Sequence, residues 1–292
     1  MTAAPTSPQA RVAEASTTEA TAEQSGASGS SFYAGMRVLP KAEREAMYAI
    51  YGFCRVVDDI ADDLQGDRAS RTAELNAWRA DLDSLYAGGP AGRAAFLVPA
   101  VKQFHPNKAD FVAVIDGMQM DVDADIRAPD YATLDLYIDR VACAVGRLSV
   151  KVFGMEEQPG LDLAHHLGRA LQLTNILRDF DEDAAIGRLY IPREALDRAG
   201  IPGDDPHTVV NHANIDKAAR ELLALARQAY AEADRVLGKK PRGRLLAPRL
   251  MSAVYGKTLD RTAALGWNPP RTRVKVGKGE LLWLVLRHGL FG

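Results

Sequence analysis

The sequence predicts an all-α protein, on three observations. From Ser31 onward apolar residues recur at three- and four-residue spacing, the period of one helix face, and strand-type alternation is scarce. The breaks between these runs carry turn chemistry: Gly88-Gly89-Pro90, His105-Pro106-Asn107, Ala128-Pro129-Asp130, Gln158-Pro159-Gly160, Gly200 to Pro206, and Asn268-Pro269-Pro270. Two of the runs end in dense acidic patches, one at Asp58 to Asp63 and one at Asp179 to Asp183.

The expected helices are 41–63, 70–87, 94–103, 108–124, 131–153, 162–183, 193–199, 214–237, 243–265 and 280–288. In the first, Ala46, Ile50, Phe53, Cys54, Val57, Ile60 and Ala61 form the apolar face. Asp58 and Asp62 stack beside that face, with Asp59 next to them. In the helix over 162–183 the apolar face is Leu163, Leu167, Ala170, Leu171, Thr174 and Leu177. Asn175, Asp179 and Asp183 follow one another at four-residue spacing, so each is offset by about 40° around the axis and about 6 Å along it.

Like charges at this spacing repel by a few tenths of a kcal/mol per pair. Acids at a helix C-terminus also oppose the macrodipole. Such local conflicts gather at functional sites. A hard divalent cation resolves this one, because Mg²⁺ takes oxygen ligands from one or two carboxylates together with substrate phosphates. Neither patch offers His or Cys at zinc spacing. Arg55 and Arg178 stand beside the acids and suit bidentate recognition of phosphate oxygens. The residues therefore read as a Mg²⁺-bridged diphosphate between two helices. The plainer alternative is two solvated acidic helix ends paired with their own arginines.

Composition bounds the rest. The chain has 292 residues, 47% hydrophobic and 25% charged, with net charge −2, an ordinary globular balance that gives no support for nucleic-acid binding. Cys54 and Cys143 lie in apolar helical patterns and read as small buried thiols in a reducing cytoplasm. The six histidines show no ligand spacing. Residues 1–27 are rich in Ala, Ser, Thr and Glu and lack an apolar cluster, so disorder is expected there, with no signal peptide. Because both patches must share one ligand, 28–292 is expected to form a single all-α domain. No segment approaches the roughly 18 apolar residues that span a bilayer.

Other stretches carry two readings each. Gln119 and Asp123, within Gly117 to Asp123, read from the residues as a plain surface helix, while the resemblance carried by the two aspartate motifs below implies that this helix faces the acids. The small residues of Val141 to Gly146 admit close approach of a helix or of a flat apolar tail. Tyr190, in the turn Gly187 to Pro192, closes the site mouth or packs in the core. The basic run Lys239 to Arg249 reads as a solvated loop, and Arg271, Arg273, Lys275 and Lys278 form a second basic stretch. The apolar stretch Leu281 to Phe291 is a core-packing helix or a membrane-facing anchor preceded by basic residues.

Asp58-Asp59-Ile60-Ala61-Asp62 and the stretch Asn175 to Asp183 resemble the paired aspartate motifs of the squalene/phytoene synthase family, the head-to-head prenyl transferases. Ser31-Phe32-Tyr33-Ala34, Tyr48 to Tyr51, Gly187 to Pro192 and Tyr255 extend the resemblance over about 28–271. Ser31 to Pro40 is similar to the bacterial branch that makes presqualene diphosphate for hopanoids.

The resemblance implies an isoprenoid-synthase helical bundle with a central pocket between two aspartate-rich helices. It implies condensation of two farnesyl diphosphates to presqualene diphosphate with release of diphosphate. Asp58, Asp62, Asp179 and Asp183 would be catalytic. Asp58, Asp59, Asp62, Asn175, Asp179 and Asp183 would hold Mg²⁺, or Mn²⁺ in its place. Phe32, Tyr51, Arg55, Gln172, Arg178, Arg188, Tyr190, Tyr255 and Arg271 would bind substrate, with Phe32, Tyr51 and Tyr255 as aromatic faces toward an allylic cation.

Arg140 departs from squalene synthases, which carry an aromatic residue there, and no Gly-x-Gly-x-x-Gly follows a strand, so no nicotinamide cofactor is expected. A cytoplasmic enzyme is implied, in contact with the inner membrane face through its C-terminal segment and coupled to later hopanoid-pathway enzymes. Phytoene or dehydrosqualene synthesis on the same scaffold is the first alternative. A chain-elongating synthase would need a Gly-Lys-x-x-Arg-Pro segment, which Lys41 to Arg55 lacks. A non-catalytic prenyl-diphosphate binder is the third. Removal of Asp58 or Asp179 is expected to abolish turnover with little change in melting temperature.

Overall fold

The computed structural model describes residues 36–63, 66–124, 126–277 and 279–280. Among them the chain is helical, and its strand-like pairing is a single parallel bridge between Arg127 and Leu189. The order is α1 (Lys41–Asp62), α2 (Arg68–Tyr86), a 3₁₀ segment (Gly92–Leu97), α3 (Val98–Phe104), α4 (Lys108–Ala124), α5 (Tyr131–Ile138), a π-helical turn (Asp139–Cys143) and α6 (Ala144–Val152). It continues with α7 (Glu157–Arg178), α8 (Phe180–Ala185), α9 (Arg193–Ala199), α10 (Pro206–Val210), α11 (Ile215–Gly238) and α12 (Leu246–Leu265). The expectations for 1–27, Phe32, Lys278 and 281–291 fall outside the described residues.

Local chemistry sets several helix starts. Asp67, Asp130 and Asp205 each accept a backbone N–H three residues on, from Ser70 (2.6 Å), Thr133 (2.7 Å) and Thr208 (2.8 Å). Such N-caps contribute about 1 kcal/mol each.

The expected helix map needs correction in four places. The helix expected over 162–183 starts earlier and breaks at Asp179, whose φ of −110° and ψ of 25° leave helical geometry. Asp181, Glu182 and Asp183 thus stand in the first turn of α8, where acids complement the helix dipole. The helix expected over 131–153 passes through the π turn at Asp139–Cys143, the one expected over 94–103 is the 3₁₀ segment Gly92–Leu97 followed by α3, and α10 was not expected at all.

The apolar faces read from the sequence are largely the buried ones. Ala46, Ile50, Phe53, Val57 and Ala61 of α1 are buried, as are Leu163, Leu167, Ala170, Thr174 and Leu177 of α7. Cys54 and Cys143 are both free thiols.

Two large apolar clusters result. One joins α1, α2, α4 and α6, where Phe53 meets Trp78 and Phe111 edge-on at 5.6 and 5.2 Å. The other gathers α7 to α11 with Leu259 and Trp267. Val141, in the π turn, packs against both.

The acid-bearing helices α1 and α7 do not form a packed pair; both pack on α6. Close approach there depends on glycine. A Cβ on Gly168 would lie 2.8 Å from Cys143 Cα, and one on Gly146 would lie 3.0 Å from Ala164 Cα. A Cβ on Gly117 of α4 would meet Val141 Cγ1 at 2.5 Å. The small residues of 141–146 therefore admit neighbouring helices. No helix among the described residues is long and apolar enough to cross a membrane.

Candidate active site

The two acidic patches meet at Arg188. The turn before it is shaped by Gly187, whose φ of +80° favours glycine. Asp183 O accepts the Arg188 N–H at 2.9 Å, and Leu189 N–H donates to Ile126 O at 2.8 Å, which ties the turn to the end of α4. The Arg188 side chain is 10% exposed. Its Nη1 lies 2.6 Å from Asp62 Oδ1, and its Nη2 donates to Ala61 O at 3.3 Å. Arg188 thus links the segment after the second patch to the C-terminal turn of α1.

Each patch also has its own arginine. Arg55 donates to Asp58 at 2.7 Å and to Asp59 at 2.9 Å. Arg178 holds both oxygens of Asp179, and Arg273 donates to Asp179 at 2.8 Å. The plainer alternative, acids paired with their arginines, is thus realised in part. It leaves a charge surplus. Burial pushes Asp183 up to about 8, with the Asp179 charge adding to it. Burial likewise pushes Asp58 up to about 7, with Asp62 adding and Arg55 opposing. Burial also acts against Asp179, but the hydrogen bonds from Arg178 and Arg273 outweigh it and hold this carboxyl below its ordinary value.

The spacing Asn175, Asp179, Asp183 survives the helix break. Asp179 N–H donates to Asn175 O at 2.9 Å, and Asp183 N–H donates to Asp179 O at 2.8 Å. Asn175 Oδ1 is buried and has no hydrogen-bond partner, while its Nδ2 lies 3.5 Å from Gln172 Oε1. A buried acceptor left unmade costs about 1–3 kcal/mol, so a cation or water placed there would be stabilising.

Among the described residues no three His, Cys, Asp or Glu side chains form a ready metal cage. The donors fit a hard divalent cation of another kind: all oxygen, surplus negative charge at Asp58 and Asp183, and an orphan amide oxygen on Asn175, one turn before Asp179. Phosphate and water would complete such a site.

The remaining candidates divide. Burial raises Tyr255, and the charges of Arg178, Tyr51 and Asp179 act on it, which brings Tyr51 of α1 and Tyr255 of α12 to the same region. Tyr190 is 5% exposed and packs in the core. Its ring stacks on Tyr137 at 4.9 Å and its hydroxyl donates to Asp121 at 3.0 Å. Arg271 reaches the second patch at Asp181 and also donates to the carbonyls of Val210 (2.6 Å) and Trp267 (2.9 Å). Arg273, which the sequence reading did not single out for substrate, reaches the same patch at Asp179 and lies 3.2 Å from Glu182. Gln119 donates to Thr72 and to Asp123, on the side of α2. Two cavities, about 440 and 260 Å³, open beside His165 and His166; no residue of the acidic motifs lines either.

Sequence reasoning missed Asp121 and Tyr137. Asp121 is 1% exposed, and Tyr137 donates to it at 3.1 Å. The signal was an acid on the buried stripe of α4 with Val114, Gly117 and Met118.

The chain is 58% identical over 266 residues to a presqualene diphosphate synthase of Zymomonas mobilis, covering 91% of each chain. It is 51% identical to the presqualene diphosphate synthase of Rhodopseudomonas palustris, covering 94% of this chain and 98% of the other. In structure it resembles a dehydrosqualene synthase solved with a ligand, at TM-score 0.76 and 25% identity, over 97% of this chain and 96% of that one. A squalene synthase from Alicyclobacillus acidocaldarius matches at TM-score 0.73 and 26% identity, over 82% and 89%. The model of the squalene/phytoene synthase family matches residues 26–280. The chain belongs to the squalene/phytoene synthase family.

Proposed function

We propose that this protein condenses two molecules of farnesyl diphosphate head to head into presqualene diphosphate, releasing diphosphate. The observation that carries the reading is the pairing of the two acidic motifs across Arg188, in a chain 58% identical to a presqualene diphosphate synthase.

Asp58, Asp62, Asn175, Asp179 and Asp183, with Asp59 beside them, would hold Mg²⁺ or Mn²⁺. When bound, the cation neutralises charge that develops on a departing diphosphate. Arg55, Arg178, Arg188 and Arg273 add donors toward the same oxygens, with Arg273 beside Arg271 on the second motif. Tyr51 and Tyr255 offer π-faces to the allylic cation left when the carbon–oxygen bond breaks. Exclusion of water protects that cation. The carbon-2/carbon-3 double bond of the second farnesyl group attacks it, and proton loss to the released diphosphate closes the cyclopropane. The second diphosphate stays on the product.

The reading extends to one functional unit over 28–292, acting in the cytoplasm. The apolar stretch 281–291 would touch the inner membrane face, close to the later hopanoid-pathway enzymes that take the lipophilic product.

The test is incubation of the purified protein with farnesyl diphosphate and Mg²⁺, with and without NADPH, followed by lipid analysis. Presqualene diphosphate in both arms supports the reading. Squalene with NADPH extends it to a full squalene synthase. Turnover of geranylgeranyl diphosphate alone replaces it with phytoene synthesis. Silence with both substrates leaves a non-catalytic binder.

A further inference from the structure

We infer that Asp121 is a positioning residue for the condensation, and that it works by pinning one edge of the Arg188 guanidinium. The inference rests on the reading that Arg188 serves a diphosphate.

Asp121 lies on α4 and is 1% exposed. Tyr190 OH donates to its Oδ1 at 3.0 Å and Tyr137 OH to its Oδ2 at 3.1 Å; the two hydroxyls lie 3.1 Å apart. Arg188 Nε lies 3.7 Å from Oδ1. A carboxylate buried this deeply needs a cation and donors, and here it has both. The three partners come from α5 and from the turn after α8, and backbone hydrogen bonds fix that turn. Leu189 N–H donates to Ile126 O, and Ala128 N–H donates to Leu189 O, both at 2.8 Å. Asp121 and Arg188 are therefore held by the fold, at a fixed separation.

The two edges of the guanidinium differ. The Nε edge faces a sealed acid. The Nη1 edge faces Asp62, whose side chain is 41% exposed. An ion pair on an exposed carboxylate exchanges partners readily, because water and salt compete for it. Nη1 can thus leave Asp62 for a diphosphate oxygen while Nε stays anchored. Asp121 supplies the pivot, and Tyr137 and Tyr190 hold the pivot's orientation.

A double-mutant cycle tests this. Asp121→Asn keeps the side-chain volume and removes the charge, and Arg188→Met removes the donor. Two readouts are used: kcat and KM for farnesyl diphosphate, and calorimetric binding of inorganic diphosphate with Mg²⁺. Asp121→Asn should weaken diphosphate binding and kcat/KM by about ten- to a hundredfold. The double variant should be no worse than Arg188→Met alone. Equal factors in both backgrounds would overturn the inference, as would an unchanged affinity for diphosphate. If Asp121→Asn fails to fold, Tyr137→Phe with Tyr190→Phe loosens the same pivot and keeps every charge. Failure of the functional reading shows separately: farnesyl diphosphate is not turned over by the unaltered protein, while the binding cycle still reads the coupling.

Discussion

Arg188 Nη1 lies 2.6 Å from Asp62 Oδ1 and brings the turn after the second acidic motif onto the end of the first. With Arg55 on Asp58 and Asp59, and Arg178 and Arg273 on Asp179, every aspartate of these pairs already faces a guanidinium. The site balances much of its own charge, and what is left over gathers at Asp58 and Asp183.

Asp183→Asn should abolish product formation and leave the melting temperature equal or higher. Its carboxyl is half-buried and repelled by Asp179, so neutralising it removes strain from the metal-free protein. Product assay and calorimetric melting in EDTA check both halves; a clear fall in melting temperature would count against the charge surplus.

Asp179→Ala should behave differently. The sequence alone led to an expectation of near-normal stability, but this acid holds Arg178, whose side chain is 19% exposed, and Arg273. Removing it strands a half-buried cation, at a cost of about 1–3 kcal/mol. Denaturant unfolding should show a lower midpoint at unchanged slope, and turnover should be lost.

Arg273 and Arg271 should separate kinetics from stability. Arg273→Ala should lower kcat/KM by about tenfold or more with little change in melting, since its partners are motif acids and its side chain is 43% exposed, against 10% for Arg271. Arg271→Ala removes donors to Val210 O and Trp267 O and should mainly destabilise. The opposite pattern would restore Arg271 as the phosphate arginine.

Stability without metal should fall as pH rises. Asp183 and Asp58 have folded-state values raised to about 8 and about 7, above their ordinary value of 3.8. The folded protein therefore binds more protons than the unfolded chain between pH 4 and 8. The contribution is complete below pH 4 and is lost as pH climbs through 7 and 8. Asp58 is 36% exposed and screened by solvent, so Asp183 carries the larger part of the slope. Melting curves from pH 5 to 9 in EDTA should show this decline, and Asp183→Asn should flatten it.

Much of the architecture was legible. Leu163, Leu167, Ala170, Thr174 and Leu177 announced the buried face of α7, because burial and helical period coincide there. The break at Asp179 was not legible, since the i to i+4 pattern continues on both sides of it through the Asp183 N–H to Asp179 O bond. The π turn at Asp139–Cys143 carries no Pro, so nothing in the residue types flags it.

The site shows the same division. Motif acids are visible because they conflict locally with their helices. Asp121 is satisfied by Tyr137, Tyr190 and Arg188, which other elements bring to it, so the local window of α4 shows an acid on a buried stripe but not its partners. The choice between Arg271 and Arg273 depends on where Trp267 is anchored, its Nε1 donating to Leu177 O at 2.7 Å.

Gly117, Gly146 and Gly168 let α4 and α7 close on the π turn and α6 from two sides, at distances where a methyl group would collide. The middle of the molecule is consequently clamped. Sliding or rolling of this shared helix would drive backbone into backbone. Divergence among relatives with this clamp has to proceed by exchanging side chains on a stationary frame, and libraries that randomise residues 117, 146 and 168 should return glycine.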